Sequence, residues 1–217
     1  MPDLVIFDCD GVLVDSEPIA NRVFAQMLAE IGLNVTMEEM YSDFVGRSIS
    51  YCMQLVEKRL GHSAPDDFVA RLQERTFAAF AAENLRATDG IEEALDAIHV
   101  PICVASSGEI EKMRFTLGLT GLLPRFCGHL FSATQVARGK PAPDIYLFAA
   151  SNMSVAPERC VVIEDSPAGA QAGVAAGMMV LGYSAHTPAR ALLEVGAQRA
   201  FADMRSLPDL LARTELR

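Results

Sequence analysis

Near its start the chain runs through four apolar residues, Leu4–Phe7, straight into Asp8-Cys9-Asp10-Gly11. A short apolar run that stops at a turn reads as a buried strand, which needs a sheet around it and cover on both faces. Residues 102–105 before Ser106 and residues 160–163 before Glu164 repeat the device. Each run is followed by a turn and then a helical pattern, the rhythm of parallel strands joined by crossover helices. Residues 130–133 read as one more short strand. The expected fold is α/β with a doubly wound parallel sheet, whose site lies at the carboxyl ends of the strands.

About ninety residues separate the first strand from the second, and this stretch reads as helical. Residues 21–31 form an apolar-periodic segment stopped by Gly32, Thr36 and Glu39 match a capping box, and residues 66–82 make a long helix. The spacing predicts a helical domain over residues 16–85 inserted into a core made of residues 1–15 and 86–217. Within the core, helices are expected over residues 90–98, 109–117 (ending at Gly118) and 144–152. A further helix starts at Ser166-Pro167 and runs to Gly177, and another runs from Thr187-Pro188 to near Gly196. Gly169, Gly173 and Gly177 recur every four residues, a small-residue face suited to lying close on a sheet.

Chemistry-bearing residues gather where the strands end. Asp8 and Asp10 flank one residue before Gly11, which permits a sharp turn. Crowded carboxylates are costly without a cation between them, so the pair points to a metal. Ser106 and Ser107, at the start of a helix, offer hydroxyl and backbone donors to an anion. Lys140 is stiffened by Pro141 and Pro143, and Glu164-Asp165 supplies a second acidic pair.

The formal net charge of −10 argues against nucleic acid or an anionic membrane as partner, since both need a basic footprint. Five scattered cysteines without a CxxC pair fit a reducing compartment. Neither a leader segment nor a membrane span is readable, and the cytoplasm is the expected location. No heptad or apolar patch indicates an oligomeric state.

The ordered set Asp8-x-Asp10-Gly11-Val12-x-x-Asp15-Ser16-Glu17, Ser106, Lys140-Pro141-x-Pro143-Asp144 and Glu164-Asp165-Ser166-x-x-Gly169 resembles the four motifs of the haloacid dehalogenase superfamily. The insert resembles the helical cap of the branch containing phosphoglycolate phosphatases, sugar-phosphate phosphatases and β-phosphoglucomutase. The resemblance implies a Rossmann-like core and a Mg2+-dependent phosphomonoester hydrolase acting on a small phosphorylated metabolite. By that resemblance Asp8 is the nucleophile that becomes an aspartyl phosphate, and Asp10 exchanges protons with the leaving alcohol and with water. Mg2+ is held by Asp8, the Asp10 carbonyl and Asp165, with Glu164 as ligand or supporting partner. Ser106 and Lys140 bind the transferring phosphoryl group, Ser107 and Gly108 bind substrate, and Arg47 reaches it from a cap loop. Arg71 and Arg75 are weaker substrate candidates on a cap helix.

Residues 103–113 and 130–143 are similar to 6-phosphogluconate phosphatases of this branch, which favours a sugar-acid phosphate as substrate, with phosphoglycolate and other sugar phosphates as alternatives. Ala20 stands where the mutases carry a cap histidine, which disfavours a mutase. Asp10 disfavours a dehalogenase. A phosphoaspartate signalling module shares the chemistry at the strand ends, but such modules are much shorter and have no inserted cap.

Overall fold

The computed structural model describes residues 1–45, 49–126 and 128–214. Arg47 and Cys127 lie outside the described residues. The chain divides into two compact units, Met1–Asp15 with Arg86–Arg217, and Ser16–Leu85.

The larger unit is built on six parallel strands: β1 (Leu4–Phe7), β2 (Ile102–Ser106), β3 (Leu130–Ser132), β4 (Cys160–Glu164), β5 (Met179–Tyr183) and β6 (Arg199–Phe201). Their spatial order is β3-β2-β1-β4-β5-β6, so chain order reverses at β1. Ligands of doubly wound sheets bind at such a reversal, beyond the strands' carboxyl ends. All residues of β1 and β4 are buried, as expected for central strands covered on both faces. Residues 4, 6, 103, 105, 160 and 162 share one face and form a single core. Side chains alternate along a strand, so the next positions on that face are Asp8 and Glu164. The sheet itself therefore delivers the two carboxylates side by side.

The smaller unit is helical: α1 (Glu17–Glu30), α2 (Met37–Glu39) running into a wider turn at Met40–Phe44, α3 (Ile49–Leu60) and α4 (Phe68–Ala82). Its own core gathers Val23, Phe24, Met27, Leu28, Met40, Phe44, Val56 and Phe68, with Phe24 and Phe44 meeting edge to face at 5.5 Å. The Thr36–Glu39 capping box is present. Arg71 and Arg75 both pair with Glu30, so in this structure they brace α1 against α4.

In the larger unit α5 (Ile91–Ala97), α6 (Ile110–Leu119), α7 (Asp144–Asn152), α8 (Pro167–Ala175), α9 (Ala189–Glu194) and α10 (Leu207–Ala212) complete the fold. Two details depart from expectation. The helix that should end at Gly118 runs on to Leu119, and the left-handed residue that follows it is Gly121, at φ +74°. Strands β5 and β6 are not predicted by the sequence: the apolar β5 follows Gly177 too closely to stand apart from the helix before it, and β6 is only three residues long. Of the three spaced glycines, Gly169 and Gly173 pack closely, whereas α8 ends at Ala175 and Gly177 lies beyond it at φ +74° with nothing within 4 Å of a Cβ there. A Cβ at Gly173 would lie 2.7 Å from Val180 Cγ2, so its absence brings the helix down onto the sheet. Among the described residues no helix is long and apolar enough to cross a membrane. Cys9, Cys52, Cys103 and Cys160 are free and buried.

Candidate active site

Three strand ends converge. The Asp8 backbone N–H donates to the Ile163 carbonyl at 3.0 Å, extending the β1–β4 ladder by one residue and setting Asp8 beside Glu164. Between them sits Lys140. Its ammonium donates to Asp8 Oδ1 and Glu164 Oε1, both at 2.6 Å, and to the Ala105 carbonyl at the end of β2 at 3.1 Å. The Lys140 side chain is only 5% exposed, and all three of its donors therefore have acceptors. A bidentate pair between Arg138 and Asp144 closes the segment that presents it.

Both oxygens of Glu164 are occupied. Oε1 accepts from Lys140 and from the Tyr146 hydroxyl at 2.8 Å, while Oε2 accepts from the backbone N–H and hydroxyl of Ser166, each at 2.9 Å. Ser166 also caps α8 by accepting from the Gly169 N–H. The residue at 169 must be glycine, because a Cβ there would fall 1.6 Å from Glu164 Oε1. Gly11 has a twofold constraint. Its φ of +77° suits glycine, and a Cβ would stand 2.1 Å from Asp165 Oδ2. The turn after β1 thus lets Asp165 lie directly against the backbone.

Burial governs the electrostatics. Asp8 is pushed up to about 7 by loss of solvent, with Lys140 pulling it down and Glu164 pushing it up. Burial pushes Glu164 up as well, yet Lys140, the Ser166 N–H and the Tyr146 hydroxyl bond its anion and hold it below the usual carboxylate value. Lys140 loses solvent too, but the two carboxylates keep it well above the ordinary lysine value.

Asp8, Glu164 and Asp165 offer carboxylate oxygens that all lie within 4.8 Å of one another. Lys140 pairs with two of these buried carboxylates, Asp8 and Glu164. The all-oxygen donors of the set suit a hard divalent cation. The residues fit a metal. Glu164 is already held by four donors, which makes Asp8 and Asp165 the candidate ligands.

Ser106 is buried, and its Oγ accepts the Gly108 N–H at 3.1 Å, which leaves its hydroxyl proton to donate. The Gly108 carbonyl accepts from Ser132 Oγ at 2.8 Å. Ser107 is exposed at the head of this loop. The Asp10 carboxylate stands apart from the acidic trio and accepts from Lys112 at 2.7 Å. Burial opposes the Lys112 charge, but Asp10 outweighs it and raises the lysine above its usual value.

Lys112 and Tyr146 belong to this constellation and escape the sequence reading. Each carries a signal in retrospect. A lysine in the first turn of a helix opposes the helix dipole and calls for an anion, while a tyrosine in an otherwise apolar helix needs a partner for its hydroxyl.

A doubly wound sheet with an acidic trio, a lysine bridge and a serine at its switch point defines a class, and a profile of the haloacid dehalogenase-like hydrolases matches residues 2–177. This chain belongs to that family and is an enzyme, a hydrolase. It is 33% identical to the 6-phosphogluconate phosphatase of Escherichia coli strain K12 over 208 residues, 96% of this chain and 94% of that protein. Hexitol phosphatase A of the same organism is 31% identical over 194 residues, covering 88% and 87%. Among solved structures, a conserved haloacid dehalogenase-like protein from Agrobacterium tumefaciens superposes with a TM-score of 0.88 at 35% identity over 98% of both chains.

Proposed function

We propose that the chain, a phosphatase of this family, hydrolyses phosphomonoesters of a phosphorylated carbohydrate with Mg2+ as cofactor, a sugar-acid phosphate such as 6-phosphogluconate being the favoured substrate. The observation that carries the reading is the Lys140 ammonium shared between Asp8 and Glu164 at 2.6 Å, with Asp165 in the same cluster. The phosphatases to which the chain is similar support a carbohydrate phosphate over a smaller ester.

In the first half-reaction an Asp8 oxygen attacks phosphorus while the bond from phosphorus to the substrate alcohol breaks, and the alcohol oxygen takes a proton from Asp10. The product left on the enzyme is an aspartyl phosphate, an intermediate that splits one hard displacement into two. In the second, water attacks the same phosphorus, Asp10 takes up its proton, and the bond to Asp8 breaks to release inorganic phosphate. Lys140 and the Ser106 hydroxyl stabilise the charge carried by the transferring group. Asp8, the Asp10 carbonyl and Asp165 would hold Mg2+, which when bound offsets the repulsion between the nucleophile and an anionic ester. Glu164 keeps Lys140 in place, and Ser107 and Gly108 complete the loop around the phosphoryl group.

The helical unit, Ser16–Leu85, serves as the cap that selects the ester, with Arg47 as its substrate-binding residue. The cytoplasm is the proposed compartment, consistent with the free described cysteines.

A rate panel over phosphorylated metabolites with Mg2+, ranked by kcat/KM, tests the assignment, with phosphoglycolate and hexose phosphates as competitors. Asp8→Asn should lower turnover by at least about a thousandfold while circular dichroism stays unchanged. Hydrolysis that survives in that variant would remove Asp8 from the mechanism.

A further inference from the structure

Two serines end neighbouring strands at the same level of the sheet: Ser106 closes β2 and Ser132 closes β3, and the two are register partners. Gly108, in the loop after β2, is bonded to both. Its N–H donates to Ser106 Oγ at 3.1 Å, and its carbonyl accepts from Ser132 Oγ at 2.8 Å. Ser132 is fully buried and held in place from several directions. Its N–H donates to Gln135 Oε1 at 2.8 Å, its Oγ accepts from the Thr134 N–H at 3.1 Å, and Thr134 Oγ1 stands 2.9 Å from the same oxygen. A hydroxyl has one proton, and Ser132 commits its own to the carbonyl, so Thr134 is the donor in the last of these bonds. The bonds therefore run in one direction, from Thr134 through Ser132 to Gly108 and on to Ser106, whose proton has no acceptor among the described residues. In such one-way chains each bond strengthens the next.

We infer that Ser132 is a positioning residue for the phosphoryl-binding loop: by holding the Gly108 carbonyl it keeps the Gly108 N–H on Ser106 Oγ, and so aims the Ser106 proton at the phosphoryl group. The inference rests on the reading of Ser106 as a donor to that group. Ser132 itself touches no substrate and exchanges no proton. With the Gly108 N–H filling one side of Oγ, the Ser106 hydroxyl is oriented before the ester arrives, and donors fixed in advance are the ones that best stabilise charge developing in the transition state. Without the Ser132 hydroxyl the Gly108 peptide can turn, and Ser106 turns with it. The effect is common to every ester, since all present the same phosphoryl group.

Ser106→Ala, Ser132→Ala and the double substitution form a cycle that isolates the coupling between the two serines. It is assayed with Mg2+ and the full chain on an alkyl phosphate and on 4-nitrophenyl phosphate. Ser106→Ala should lower kcat/KM by about a hundredfold on both esters, and Ser132→Ala by about tenfold on both. Because Ser132 acts through Ser106, the double variant should fall below Ser106→Ala by no more than about twofold. The affinity for inorganic phosphate, measured by calorimetry, should drop in Ser132→Ala, but adding that substitution to Ser106→Ala should lower it no further. Ser132→Cys, close in size and only a weak donor, should lie between the parent enzyme and Ser132→Ala, and it carries the same cycle should the alanine variant fail to fold. Losses that multiply in the double variant would give Ser132 a route independent of Ser106 and overturn the inference. An unimpaired Ser132→Ala beside an impaired Ser106→Ala would refute the positioning role alone, while an unimpaired Ser106→Ala would refute the reading of Ser106 on which it stands.

Discussion

The Tyr146 hydroxyl donates to Glu164 Oε1 at 2.8 Å, the same oxygen that Lys140 holds, while the Tyr146 ring lies 4.9 Å from the Lys140 ammonium. One side chain thereby touches both ends of a buried ion pair. Its ring offers the cation a π face, and its hydroxyl donates a hydrogen bond to the anion. Buried ion pairs stabilise a fold only when such additional bonds complete them.

Tyr146→Phe keeps the ring and removes the hydroxyl. Glu164 then loses one of four donors, and the fold should be weakened by about 1–3 kcal/mol, the cost of under-satisfying a buried charged acceptor. Urea unfolding followed by circular dichroism measures this. An unchanged midpoint would show that Lys140 and Ser166 alone satisfy Glu164.

Gly169→Ala tests the contact between α8 and the acidic cluster. Alanine inside a helix is normally favoured over glycine by roughly 1 kcal/mol. Here the added methyl would meet Glu164 Oε1 at 1.6 Å, so the sign should reverse, to a destabilisation of about 3 kcal/mol or more. The thermal midpoint should fall and turnover with it. A variant as stable as the parent would mean that Glu164 can withdraw at little cost.

The Asp8 carboxyl makes stability depend on pH and on metal together. Its value rises from 3.8 to about 7 on folding, so between those limits the metal-free native state retains a proton that the unfolded chain releases. Stability of the metal-free protein should therefore be eroded by this group as pH rises from about 4 to 7, by a few kcal/mol on the order set by the linkage relation. A cation must displace that proton, so Mg2+ should bind more weakly as pH falls below about 7. Thermal midpoints in chelator and in Mg2+ should then separate progressively between pH 5.5 and 8. Glu164 works in the opposite direction: its value is depressed, so its contribution is present above 4.5 and is lost as pH falls below that. A Mg2+ effect independent of pH over this range would exclude Asp8 as a ligand.

Much of this site is legible in local sequence, because strand ends announce themselves. The runs before Asp8, Ser106 and Glu164 are apolar, short and punctuated by Gly, Ser or Pro, and alternation along a strand fixes which face the next side chain takes. The capping box at Thr36 and the Ser166-Pro167 helix start are local as well. Strands β5 and β6 are not legible in this way. Residues 199–201 become a strand by pairing with residues 181–183, and pairing partners are not written in either segment.

By itself, then, the sequence determined the kind of chemistry this protein carries: carboxylates, a hydroxyl and a lysine delivered to one edge of a parallel sheet, with a helical unit inserted after the first strand. The tertiary structure decided how the members of that set divide their work. It gave Lys140 to Asp8 and Glu164 at once, saturated Glu164 with Tyr146 and Ser166, and bound Asp10 to Lys112. Apart from the local bonds between Ser166 and Glu164, those assignments rest on contacts spanning 18 to 132 residues of chain. Only packing brings such partners within hydrogen-bond range, and charge placement in a dry interior depends on distances that residue spacing does not encode.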